Sequence, residues 1–113
     1  MKILDVYDTM MEEIQSIYRS RLLIQILLSL FEGDKTLAQL REITGSTSQA
    51  IIPKIRILES SQYITMVDYE YQLSPLGRII AAKINDHVIT IGAITRHKVF
   101  FADHYLEGIP KPL

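Results

Sequence analysis

Cysteine is absent from the 113 residues. That excludes a disulfide framework, a cysteine-ligated zinc site and a thiol nucleophile, and it fits a reducing compartment. The signatures of catalysis are also missing. There is no glycine-rich phosphate loop, no serine–histidine–aspartate arrangement with a nucleophile turn, and no lone carboxylate in an apolar run. Gly33-Asp-Lys-Thr36 resembles the end of a phosphate loop but lacks the upstream glycine and strand. The chain is therefore expected not to be an enzyme, and no cofactor is expected. Long hydrophobic runs are lacking too. The stretch from Leu22 to Phe31 is broken by Gln25 and Ser29 and is too short to cross a bilayer. Asp5 and Asp8 interrupt any signal-peptide core. No membrane partner is expected, and the expected location is cytoplasmic.

An excess of either charge is the last thing missing. Twelve basic and thirteen acidic residues leave a net charge of −1, which argues against strong non-specific nucleic-acid binding. The distribution is uneven. Residues 1–34 carry net −3, residues 35–62 net +2 (Lys35, Arg41, Lys54 and Arg56 against Glu42 and Glu59), residues 63–73 net −2 and residues 74–113 net +2. A nucleic-acid binder needs a local basic face rather than a basic total, and the region around 35–62 is the one that can supply it.

With 48% apolar and 22% charged residues, the chain reads as one globular domain able to bury roughly two-thirds of its unfolded surface. Val6, Met10, Ile14 and Ile17 recur at helical spacing and predict an amphipathic helix over 3–19, its stripe widened by Tyr7, Met11 and Tyr18. Residues 21–32 are apolar around most of the wheel (Leu22, Leu23, Ile26, Leu27, Leu30, Phe31), as expected of a helix central to a core. Gly33-Asp34 ends it. Thr36-Leu-Ala-Gln39 is a capping-box pattern. It opens a short helix to about Thr44, with Leu37, Leu40 and Ile43 expected to face inward, closed by Gly45. Ser46, Thr47 and Ser48 each suit the N-cap of the next helix, which reaches about Ser60 with Ile51, Ile55 and Leu58 inside. Tyr63–Val67 and the alternation of Tyr69, Tyr71 and Leu73 with Glu70 and Gln72 predict one hairpin turning near Asp68. Ser74-Pro75 is an N-cap followed by a first-turn proline. It opens a long helix with Ile80, Ile84, Val88 (or His87), Ile91 and Ile94 in a stripe, continuing to Leu106 before Gly108, Pro110 and Pro112 stop it.

Helix, short helix, tight turn at Gly45-Ser46, helix and hairpin follow one another in the order of a winged helix-turn-helix. The predicted fold is therefore mainly α with one β-hairpin: an N-terminal helix (1–20), a winged-helix core (21–74), and a C-terminal helix and junction (75–113). The tight turn holds two helices at a steep angle, so that the second can lie in a major groove while the first braces it. Residues 22–82 resemble the winged-helix domain of ArsR-like and MarR-like regulators. The likeness rests on Thr36-Leu-Ala-Gln-Leu40, on Leu58-Glu59 through Tyr63-Ile64, and on Leu73-Ser-Pro-Leu-Gly77. Phe100-Phe101-Ala-Asp-His104-Tyr-Leu-Glu-Gly108-Ile-Pro110 is similar to the junction in archaeal regulators of the methanogenesis regulatory protein family, in which a winged helix precedes a separate sensing domain. That resemblance implies a transcriptional regulator that binds double-stranded DNA. It also implies that this chain is the N-terminal part of a longer protein whose missing C-terminal domain takes a small-molecule ligand.

The residues expected to touch DNA are Thr47, Ser48, Gln49, Ile52, Lys54 and Arg56, all off the Ile51/Ile55/Leu58 stripe. Gln49 suits an adenine edge and Arg56 a guanine edge, with Ser48 and Lys54 on phosphate; the bland alternative is a solvated helix face. Two features depart from the usual pattern. Pro53 falls inside the presumed recognition helix, where proline removes a hydrogen bond and usually kinks. The wing carries Asp68 and Glu70 where phosphate-contacting wings carry Lys or Arg. Both leave open a winged helix used for protein interaction or dimerisation without DNA. His87, His97 and His104 read as packing and capping residues, since two helical turns, about 10 Å, separate the last two and no carboxylate or cysteine completes a metal set. The long apolar stripes of helices 3–19 and 75–106 predict a homodimer.

Overall fold

A single extended residue, Ser20, separates the first two helices. The computed structural model describes residues 2–97, apart from the side chain of Ile14. In it α1 runs Ile3–Arg19 and α2 Arg21–Glu32. The Ser20 N–H donates to the Ile17 carbonyl (3.2 Å) while its hydroxyl oxygen accepts from the Leu23 N–H (3.2 Å), so one side chain ends one helix and caps the next. α2 is the centre of the molecule's first unit, with Leu23, Ile26, Leu27 and Leu30 buried. Ser29 is buried among them, and its hydroxyl donates to the Gln25 carbonyl at 2.7 Å. That bond removes the penalty of an unpaired polar group in the core.

α3 (Leu37–Thr44) begins with the expected capping box. The Gln39 N–H donates to Thr36 Oγ1 (3.2 Å), and the Thr36 N–H donates to Gln39 Oε1 (2.8 Å). Gly45 ends the helix in the left-handed region at φ 67°, which only glycine adopts without strain. Of the three candidate caps for α4 (Ser48–Ser60), Thr47 is the one used, its hydroxyl oxygen accepting from the Ala50 N–H at 3.2 Å. α4 closes without a glycine. Gln62 takes φ 64°, the Gln62 N–H donates to the Glu59 carbonyl (3.0 Å) and the Tyr63 N–H to the Leu58 carbonyl (2.9 Å). This is a Schellman closure with glutamine in the position that favours glycine.

β1 (Ile64–Val67) and β2 (Glu70–Leu73) pair antiparallel in the register Ile64↔Leu73 to Val67↔Glu70. Only the two ends at the base, Ile64 and Leu73, are buried, so the hairpin is anchored at its root and its tip stands out. Asp68 (φ 51°) and Tyr69 (φ 66°) form the two-residue turn. Positive φ at both residues is the type I′ pattern, whose twist matches that of the paired strands. A rung that no sequence pattern announced extends this small sheet. Lys35 bridges Tyr71, the Lys35 N–H donating to the Tyr71 carbonyl (3.1 Å) and the Tyr71 N–H to the Lys35 carbonyl (2.7 Å).

α5 runs Pro75–Arg96. Ser74 caps it as expected, its hydroxyl oxygen accepting from the Gly77 N–H (2.9 Å) and its hydroxyl donating to the Gln62 carbonyl (2.7 Å). The Ser74 N–H also donates to the Tyr63 carbonyl (2.9 Å). Three helices and a hairpin in this order, with α1 before and α5 after, make the expected winged helix-turn-helix, mainly α with one hairpin. The continuation of the last helix to Leu106 lies outside the described residues.

The chain divides into two units, Met1–Ala82 and Lys83–Leu113. The first holds the core built on α2, α4 and the hairpin root: Ile51, Ile55 and Leu58 are buried as expected, with Leu40, Tyr63 and Ile64. Among the described residues of the second, Ile84 is buried while Val88, Ile89, Ile91 and Ile94 are exposed. Two expectations about packing need correction. Ile43 is 53% exposed rather than inward. Leu37, Leu40 and Ile43 are spaced strictly by three, so each step falls roughly 60° short of a full turn and Ile43 drifts off the face that buries Leu40. It borders an open depression of about 300 Å³ with Gln25, Leu28, Ser29 and Glu32. Among the described side chains of the α1 stripe, Ile17 is buried, Val6 half-buried and Met10 exposed.

Candidate nucleic-acid interface

The bend at Gly45-Ser46 delivers the N-terminal end of α4 to the surface. It is a rigid bend: the Ser46 N–H donates to the Arg41 carbonyl (3.2 Å), and the Ser46 and Thr44 hydroxyls lie 2.7 Å apart in a hydrogen bond. Because Ile51, Ile55 and Leu58 are held in the core, the rest of α4 is turned outward by the 100° step of a helix. Gln49, Pro53 and Arg56 are exposed, and Ser48, Ile52 and Lys54 are half-buried.

The six expected contact residues do not form one surface. Ser48, Gln49 and Ile52 come together with Pro53 around an open depression of about 300 Å³, and Arg56 continues the same arc one turn further on. Lys54 lies roughly 160° around the helix from Arg56, beside the core edge near Leu58. Thr47 precedes the helix, and its hydroxyl oxygen accepts one hydrogen bond in the cap, which leaves its proton and one lone pair for an outward partner. Pro53 had been expected to disturb this surface, yet it is part of it. α4 continues past it to Ser60, and the absent N–H leaves the Gln49 carbonyl without its donor four residues on. The wheel alone would have revealed both the membership of Pro53 and the separation of Lys54.

Charge around the surface is sparse. No Lys or Arg occurs between Arg56 and Arg78, so the hairpin is without a cation. Its tip exposes Asp68 and Glu70 beside Met66, Val67 and Tyr69. The Tyr71 phenol on β2 is raised above the ordinary tyrosine pKa by burial first and by the Glu59 carboxylate second, with the Arg56 guanidinium opposing both. Arg56 and Glu59 are therefore near enough to β2 for their fields to act there. At the other end of the hairpin, the Tyr63 hydroxyl donates to the Glu13 carboxylate of α1. Burial, that hydrogen bond and the negative charge together push the Tyr63 phenol from 10.0 to about 12. Glu13 and Tyr63 are fifty residues apart, and nothing in the sequence pairs them.

Among the described residues, no three His, Cys, Asp or Glu side chains are grouped to hold a metal ion. His104 lies outside the described residues. No described helix is long and apolar enough to cross a membrane.

The sequence profile of the family described as the N-terminal domain of the methanogenesis regulatory protein FilR1 matches residues 11–92. The chain belongs to this family. The FilR1 N-terminal domain match begins inside α1 and ends inside α5, so the whole helix-turn-helix and wing fall within it. The fold is also that of a solved MarR/EmrR family transcriptional regulator from Acinetobacter sp. ADP1, with a TM-score of 0.59 and 19% identity over 89% of this chain and 72% of that one. No curated protein matches the chain. The FilR1-family membership makes this a domain of a regulatory protein; the MarR/EmrR likeness speaks to its fold.

Proposed function

We propose that the chain is the DNA-binding domain of a transcriptional regulator and not an enzyme, acting in the cytoplasm as a homodimer on double-stranded DNA. The observation that carries this is the outward face of α4. A tight bend presents its first three turns at the surface with Ser48, Gln49, Ile52 and Arg56 turned away from the core, the arrangement by which a recognition helix enters a major groove. Thr47, Ser48, Gln49, Ile52, Lys54 and Arg56 remain the proposed contact set, with a division of labour. Gln49, Ile52 and Arg56 face the bases, while Thr47, Ser48 and Lys54 reach phosphate from the flanks. The family's description as an N-terminal domain suits a longer protein, in which residues 1–113 act as one winged-helix domain and a small-molecule effector binds elsewhere.

The test uses a duplex selected from a random-sequence library by the chain, followed by anisotropy titrations across a salt series. Lys54→Ala should weaken every duplex alike and lower the salt slope by about 1. Arg56→Ala should relax one base position, by about 1–3 kcal/mol if the pair with guanine is bidentate. A folded Lys54→Ala/Arg56→Ala double variant that binds like the unaltered chain would overturn the assignment. A second reading, a protein-interaction winged helix, is favoured by the apolar exposure of Ile57 on α4 and by the acidic hairpin tip. Failure of the library to yield any enriched duplex would select it.

A further inference from the structure

We propose that the depression formed by Ser48, Gln49, Ile52 and Pro53 is a reader of the thymine C5-methyl group, so that α4 selects A·T pairs by apolar contact as well as through the Gln49 amide. The proposal deepens the DNA-binding reading and rests on it. Its occupant follows from position and lining. The depression lies on the first two turns of α4, the part of a recognition helix nearest the base edges. Beyond Ser48 and Gln49 it is lined by two apolar residues, Ile52 and Pro53. Among the four bases, thymine alone offers an apolar group in the major groove.

Gln49 stands three residues before Ile52 and four before Pro53, so its side chain neighbours each of theirs at about 5–6 Å. Successive bases are about 3.4 Å apart, which lets the Gln49 amide meet adenine N6 and N7 while Ile52 and Pro53 meet a methyl on the same or the next pair. Pro53 also makes sense on this ground. Proline is the least favourable residue for a helix interior, yet here it stands on the outward face, where its ring gives an apolar surface that loses no side-chain freedom on contact. The surroundings point the same way. With a hairpin free of cations and a net charge of −1, affinity must draw on contacts other than phosphate attraction.

Replacing thymidine by deoxyuridine removes the methyl and leaves every hydrogen-bonding atom in place. The duplex enriched from the random-sequence library is resynthesised with deoxyuridine at one thymidine at a time and titrated with the chain by anisotropy. At one or two positions affinity should fall about fourfold, the worth of one buried methyl, with the salt slope unchanged. Ile52→Ala should bind the thymidine and deoxyuridine duplexes alike at those positions, and circular dichroism checks that it is folded. The series on the unaltered chain decides the matter even if the variant does not fold. Equal affinity with and without the methyl at every position would overturn the methyl reader and leave the DNA-binding reading standing. Absence of any enriched duplex would overturn both.

Discussion

Gly77 is held by a single close approach. A Cβ built there would stand 1.9 Å from the Tyr63 carbonyl oxygen, the same oxygen that accepts from Ser74. Backbone cannot step aside as a side chain can, so Gly77→Ala should destabilise by about 1–3 kcal/mol or more. Gly92, inside α5 with nothing within 4 Å of its virtual Cβ, should behave oppositely, with Gly92→Ala stabilising by about 0.5–1 kcal/mol. Urea denaturation midpoints of the two variants check both signs. Tyr63 gives a pH signature at the same scale. Its folded pKa of about 12 stands above the ordinary 10.0, so below pH 10 both folded and unfolded chains hold the proton and its contribution is complete. Between pH 10 and 12 the unfolded chain ionises first, and stability is lost as pH rises through that window. Tyr63→Phe should remove this part of the slope, read from denaturation midpoints across the window, and tyrosinate absorbance should lose a late-titrating phenol in that variant.

At the scale of the element, the turns were partly legible and partly not. The Thr36 capping box, the Gly45 stop and the Ser74-Pro75 start are written in residue types whose local chemistry acts over three or four positions. The end of α4 and the hairpin tip are written against type, with glutamine at φ 64° and tyrosine at φ 66° where glycine is favoured. Tyr69 is 85% exposed and contributes no packing to offset the strain of a left-handed aromatic residue. Tyr69→Gly should therefore raise stability by about 1 kcal/mol, seen as a higher urea midpoint at constant m-value. An unchanged or lower midpoint would mean that the exposed ring stabilises the hairpin in a way the turn geometry does not include.

At the scale of the whole molecule, the unmet demand is apolar. Ile3 (77%), Leu4 (70%), Tyr7 and Met10 on α1 are exposed, as are Ile89 (62%), Ile91 and Ile94 on α5. Exposed apolar stripes of this length usually mark an interface. The proposed homodimer uses them, and two-fold symmetry would set two α4 helices on half-sites about 34–36 Å apart. Light scattering should give a dimer at high micromolar concentration, and Leu4→Glu with Ile91→Glu should return a folded monomer with weaker DNA binding. A monomer before any substitution would remove the basis for paired half-sites.

By itself the sequence determined the order of the elements, the core face of α2 and α4, and the caps, because periodicity and capping are properties of neighbours within a few residues. Only the tertiary structure decided the rest. It brought Glu13 to Tyr63 and Lys35 to Tyr71 and pressed Gly77 against a carbonyl. These follow from how elements meet across long stretches of chain, whereas the exposure of Ile43 and the separation of Lys54 from Arg56 follow from small angular remainders that accumulate along a helix. A spacing pattern carries such remainders only to the nearest turn, whereas packing resolves which side of the turn a residue finally occupies.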